Sequence, residues 1–182
     1  MSTSEDQVTA SGERSAPVRG LKFCYETFGS SEAAPLLLVM GLGSQMILWD
    51  EDFCERLAAR SFFVIRFDSR DVGRSAILRD APVPKQWQLV TRDAKGAAYS
   101  LDDMAADSVG LLDHLGVGAA HVVGASMGGM IAQLMAINHP DRVLSLISIM
   151  STTGARRVGR AQPRVALRLL RKARLDRDGD RP

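Results

Sequence analysis

Four stretches of this chain are apolar without alternation: Pro35-Leu-Leu-Leu-Val-Met40, Phe62-Phe-Val-Ile-Arg-Phe67, His121-Val-Val-Gly124 and Val143-Leu-Ser-Leu-Ile-Ser-Ile149. Strands covered on both faces read in this way, because neither side of the pleat meets water. Between Val18 and Phe28, two shorter extended stretches flank Arg19-Gly20 and are closed by Gly29-Ser30-Ser31, which predicts an antiparallel hairpin at a sheet edge. Helical spacing appears between the runs. Asp50 to Arg60 follows the first. Ser100 caps the next helix with Asp103 three residues on as an acidic capping box. Its apolar stripe is Leu101, Met104, Ala105, Leu112 and Leu115, and Gly116 falls at the C′ position. Met127 to Asn138 is apolar nearly all round, which predicts a heavily covered helix stopped by His139-Pro140. Asp80 to Gly96 has no pattern and reads as a surface loop. Strand and helix in alternation predict an α/β fold, a mostly parallel sheet with helices on both faces.

Length and composition narrow this to one soluble globular domain: 182 residues, 46% hydrophobic and 24% charged. Residues 1 to about 16 are polar and read as a disordered leader with no signal-peptide h-region. No apolar run approaches the ~20 residues that span a bilayer. Cys24 and Cys54 do not form a metal-type pair or a disulfide scaffold, so the expected compartment is the reducing cytoplasm. Charge is unevenly placed. Ser151 to Pro182 holds ten Lys/Arg against three Asp, while the remainder has thirteen basic and eighteen acidic residues.

Chemistry concentrates at Gly124-Ala-Ser-Met-Gly128, a G-x-S-x-G pattern with a buried strand before it and an apolar helix after it. A serine on so sharp a strand-to-helix turn crowds the positions two residues to either side, so Gly124 and Gly128 are expected to be steric requirements. The turn would expose Ser126 as a nucleophile and aim the Met127 N–H, at the helix N-terminus, toward an oxyanion. An ordinary glycine-flanked βα turn is the plain alternative. Met40-Gly-Leu-Gly43 ends the first buried strand, and Leu42 is the candidate for the second oxyanion N–H, with a mere connecting turn as the alternative. Gly41-Leu-Gly-Ser-Gln-Met46 is also most of a dinucleotide fingerprint, with Asp68 in the place of a ribose-binding acid. Met46 stands where the third glycine is required, so no nucleotide cofactor is expected.

Residues 18 to about 154 resemble the N-terminal half of the α/β-hydrolase superfamily. The likeness rests on Leu36-Leu-Leu-Val-Met-Gly41 with Trp49, on Phe67-Asp-Ser-Arg-Asp-Val-Gly-Arg-Ser75, similar to the family's D-x-R-x-x-G-x-S turn, and on Ala120-His-Val-Val-Gly-Ala-Ser-Met-Gly-Gly-Met-Ile-Ala-Gln133. Within the superfamily the chain is most similar to aclacinomycin methylesterase-like, cofactor-free ester hydrolases. The resemblance implies that Asp68 and Arg70 brace loops. It also implies that residues 155–182, which follow the last readable strand, begin a lid. A solvated basic helix, or contact with nucleic acid or membrane, are the other readings of that tail. The domain reading is therefore a leader (1–16), the N-terminal part of a hydrolase core (17–154) and the basic tail (155–182).

A serine hydrolase of this kind needs a histidine base and an orienting acid, both after the serine in chain order. After Ser126 the only histidine is His139. It closes the helix that starts at Ser126, and its axial rise puts it ~18 Å away. His114 ends another helix, and His121 opens the elbow strand at its far end. The triad acid and histidine are thus expected outside this chain, and the core is expected to be incomplete, lacking the last strands. No His/Cys/carboxylate trio has metal-ligand spacing. The expectation is a serine hydrolase acting on a carboxylic ester through an acyl-enzyme, inactive as the isolated chain. A small-molecule ester is the expected partner, with no nucleic acid, no membrane, no metal and no cofactor. Self-association through the exposed sheet edge is also expected. A non-catalytic fold remnant or interaction protein, and a perhydrolase or haloperoxidase-like enzyme, are the alternatives.

Overall fold

The computed structural model describes residues 10–78, 97–155 and Arg164. The expected loop at 80–96 and nearly all of the basic tail lie outside the described residues. The chain divides into two compact units, Met1–Ser151 and Thr152–Pro182, and the sheet and its helices belong to the first. The strands are β1 Arg14–Val18, β2 Leu21–Phe28, β3 Ala34–Val39, β4 Phe62–Phe67, β5 Ala120–Ala125 and β6 Val143–Ile149. The helices are α1 Glu51–Ala58, α2 Leu101–His114 and α3 Met127–Asn138.

The hairpin forms because Arg19 and Gly20 both adopt positive φ, +48° and +80°, the two-residue turn whose twist matches the flanking strands. Strand β1 starts earlier than the leader boundary at 16 predicts. Ala10 already bridges Phe28, and the Ser11 N–H donates to the Thr27 carbonyl at 2.8 Å, so backbone pairing extends into a stretch that side-chain polarity marks as leader.

The sheet order is β1-β2-β4-β3-β5-β6, antiparallel at β1/β2 and β2/β4 and parallel from β4 to β6. Alternation along the middle strands explains their unbroken apolar sequence. Leu37 and Val39 pack with Ile65, Val122 and helices α2 and α3 on one face. Leu36 and Leu38 pack with Val64, Val123, Trp49 and Cys54 on the other, where α1 lies. At ~25 cal/mol per Å² of apolar surface removed from water, burial on both faces is the main stabilising term. Helix α1 is capped by Asp50. Helix α2 carries the full Ser100/Asp103 capping box, and Gly116 follows it at φ +69°.

Cover is incomplete at β6: the Val143–Ile149 run reads as a doubly covered strand, but the exposed sheet edge expected of an incomplete core lies there. Strand β6 stands at the sheet edge, with Leu144, Ile147 and Ile149 at 57%, 54% and 38% exposure. Ile137 of α3 is 71% exposed. Among the described residues β6 pairs with β5 alone, so it lies where the layers that cover the middle of the sheet run out.

Strand β3 is followed in sequence by β4 on one side, while β5 lies on its other side. The C-terminal ends of β3 and β5 therefore border the crevice where strand order reverses, the place where open α/β sheets bind ligands.

Candidate active site

Ser126 sits at the tip of the turn between β5 and α3. Its backbone is at φ +56°, ψ −120°, a conformation costing on the order of 1–3 kcal/mol in a non-glycine residue, and its side chain is exposed. The turn is possible only because its neighbours lack side chains. A Cβ on Gly124 would lie 2.2 Å from the Gly128 carbonyl oxygen, and one on Gly128 would lie 2.2 Å from the Val39 carbonyl oxygen. The two glycines thus solve different problems. Gly124 lets the turn fold back on itself, and Gly128 lets α3 press against the end of β3. Gly129 is as confined, since its Cβ would approach the Ser151 Cβ to 2.6 Å.

The β3 end reaches the serine directly. A Cβ on Gly41 would stand 3.0 Å from the Ser126 Cβ and 3.5 Å from its Oγ, so any side chain here would crowd the serine. The Ser126 N–H is spent on the Ile149 carbonyl at 2.9 Å. Among the described residues, neither the Met127 N–H, first of α3, nor the Leu42 N–H, next to Gly41, donates to a protein acceptor. Two free backbone donors therefore lie on either side of Ser126, one next to it in sequence and one next to its neighbour Gly41. Leu42 itself is 71% exposed.

The loop from Gly41 to Trp49 is pinned from strand β4. Asp68, just past its end and 3% exposed, accepts the Met46 N–H at 2.7 Å and the Arg74 N–H at 3.0 Å. That occupation removes Asp68 as a ribose ligand. The glycine turn is also followed by a short 3₁₀ segment at Met46–Leu48, with α1 starting only at Glu51, so it does not open directly into a helix as a dinucleotide fingerprint requires. Arg70 makes a bidentate pair with Asp107, 2.7 Å at each bond, and stacks over Tyr99. It ties the turn after β4 to helix α2.

The histidines lie elsewhere. His121 bonds Ser145 at the start of β5, His114 meets the Tyr25 ring edge-on at the end of α2, and His139 caps the C-terminus of α3. Among the described residues no cluster of three His, Cys, Asp or Glu could hold a metal. The free thiols are interior: burial pushes Cys54 to about 11 and raises Cys24.

Residues 34–180 match the profile of the alpha/beta hydrolase fold family. The chain belongs to that family. A rhodomycin D methylesterase of Streptomyces peucetius is 41% identical over 121 residues, which is 66% of this chain and 36% of the relative. A putative carbamate hydrolase of Caulobacter segnis is 34% identical over 128 residues, 69% of this chain and 42% of the relative. The enol-lactonase from Burkholderia xenovorans LB400 superposes with a TM-score of 0.59 at 27% identity, covering 73% of this chain and 45% of that one. This hydrolase-fold chain thus spans little more than a third of the length of the methylesterase it matches, 36%.

One arrangement escaped the sequence reading. Glu26 on β2 and Arg66 on β4 form a buried cross-strand pair, bonded at 2.6 Å, and Arg66 also donates to the Trp49 carbonyl. Its signal was present: a single arginine inside the run Phe62-Phe-Val-Ile-Arg-Phe67 must find a counter-charge if that strand is buried.

Proposed function

We propose that this chain carries the nucleophile and oxyanion hole of a serine hydrolase acting on a small-molecule carboxylic ester. The carrying observation is the exposed Ser126 at positive φ, wedged between Gly41 and α3 beside the unspent Leu42 and Met127 N–H groups. Its hydroxyl attacks the ester carbonyl, and the two N–H groups hold the developing oxyanion. The ester C–O bond breaks as a base takes the hydroxyl proton and returns it to the leaving oxygen, the alcohol leaves, and an acyl-Ser126 remains. Hydrolysis of that intermediate requires a base that removes a proton from water, and a base from outside residues 1–182 supplies this step. The methylesterase and enol-lactonase relatives support a carboxylic ester as substrate. Buried free thiols at Cys24 and Cys54 support a reducing compartment such as the cytoplasm.

The test is stoichiometric acylation. An oxyanion hole without its base retains ~10³–10⁴ of rate enhancement over water, while loss of the histidine in comparable triads costs on the order of 10⁶ in turnover. Purified chain incubated with p-nitrophenyl acetate should therefore acquire one acetyl group on Ser126, slowly and without turnover. Ser126→Ala should remove it. Acylation spread over several serines, or unchanged in the variant, would sink the assignment. The second reading, a fold remnant that performs no chemistry, is favoured by the position of all three histidines away from the serine. It predicts no Ser126 adduct even at long exposure.

A further inference from the structure

Residues 64, 66 and 68 project to one face of the sheet, because strand side chains alternate. Val64 contributes to the core on that face. The next two positions are charged and buried, Arg66 at 3% and Asp68 at 3% exposure, and each holds a backbone group of the loop that carries the Leu42 N–H. Asp68 takes the Met46 N–H at 2.7 Å, and Arg66 Nη1 donates to the Trp49 carbonyl. Arg66 is fixed in turn. Glu26 lies opposite it in the β2/β4 register, accepts from Nε at 3.1 Å and Nη2 at 2.6 Å, and the guanidinium lies 4.9 Å above the Phe28 ring. Such a pair is a costly way to fill a core, since well-packed apolar residues of equal volume are often no less stable. What an apolar pair cannot do is grip a carbonyl. The fork spends one side on Glu26 and the other on Trp49, a geometry available to arginine and not to lysine.

We propose that Arg66, oriented by Glu26, is a positioning residue for the oxyanion hole. It anchors the C-terminal end of the Gly41–Trp49 loop to the sheet, while Gly41 against Ser126 anchors the other end and Asp68 the middle. Leu42 is then carried on a segment tied at both ends rather than on a free loop. The role rests on the serine-hydrolase reading, but its structural half can be tested without any chemistry.

The experiment compares the native chain with an Arg66→Met/Glu26→Gln double variant, which removes the grip without stranding a charge. An Arg70→Met/Asp107→Asn variant dissolves a second buried pair that does not touch the loop and serves as control. Backbone hydrogen exchange is read by mass spectrometry over residues 41–49, beside Ser126 acylation by p-nitrophenyl acetate. The expected result is loop exchange faster by about tenfold in the first variant and unchanged in the second. Acylation should slow by about tenfold, less than the ~10²–10³ that loss of one oxyanion donor costs. If the double variant does not fold, Arg66→Lys takes its place, because a single ammonium cannot serve both Glu26 and Trp49. Unchanged loop exchange, or equal loosening in both paired variants, overturns the proposal. Acylation that survives Ser126→Ala would instead overturn the hydrolase reading, and loop exchange would still decide the anchoring role of Arg66.

Discussion

Placing one methyl group at residue 128 tests the packing on which the elbow depends. The Cβ of Gly128→Ala would stand 2.2 Å from the Val39 carbonyl oxygen and 2.7 Å from that of Met40. Both are backbone atoms, so no side-chain rotation relieves them. Strand β3 cannot withdraw, because it is hydrogen-bonded to β4 on one side and β5 on the other. Helix α3 must therefore retreat by roughly 1 Å to restore ordinary contact distance. Overpacking of this kind costs ~1–3 kcal/mol, and a chain of this size loses ~2–4 °C of melting temperature per kcal/mol. The retreat also carries the Met127 N–H away from Ser126, and a misplacement of ~1 Å can slow a positioned reaction by ~10²-fold. Gly118→Ala is the internal control: a Cβ there meets nothing within 4 Å, and its φ is not positive. The assay is a thermal melt of both variants with Ser126 acylation measured alongside. Equal melting of Gly128→Ala and Gly118→Ala, with equal acylation, would refute the claim that α3 is pressed against β3 through this glycine.

Other expected outcomes follow from the frame. Cys24 and Cys54, buried with raised thiol pKa, should resist iodoacetamide at pH 8 and react only when the chain is unfolded. Ser100→Ala should destabilise the fold by ~0.5–2 kcal/mol through loss of the α2 cap. Hydrogen bonds from the Ser100 backbone N–H, then its hydroxyl, hold the Asp103 carboxyl below its ordinary value of 3.8. A depressed folded-state value contributes stability above the unfolded value and loses it as pH falls through the folded one. The difference in melting between native and Ser100→Ala should therefore narrow on acidification below 3.8. The open β6 edge, with Leu144 and Ile147 more than half exposed, should make the purified chain self-associate on size exclusion. Ile147→Lys should shift it toward monomer, and an unchanged profile would place the contact elsewhere.

The elements legible in the sequence are those set by local rules. The capping box at Ser100 and Asp103 needs only residues three apart. The Arg19-Gly20 turn needs only two residues that accept positive φ, and the elbow needs glycines two residues from a serine. Apolar runs without alternation announced buried parallel strands because burial on both faces leaves no polar position to mark a period. Tertiary structure decided what depends on register and on neighbours. That Gly41 touches Ser126, eighty-five positions later, follows from β3 lying beside β5 with Val39 opposite Gly124. That Glu26 meets Arg66 follows from the antiparallel offset of β2 and β4. Neither pairing is written in a local pattern, since any strand could in principle pair with any other. Strand β6 shows the converse: its sequence is mostly apolar, as that of β3 is, yet among the described residues β3 has partners on both sides and β6 on one. Hydrophobicity records what a segment would gain by being covered, and only the assembled sheet determines what covers it.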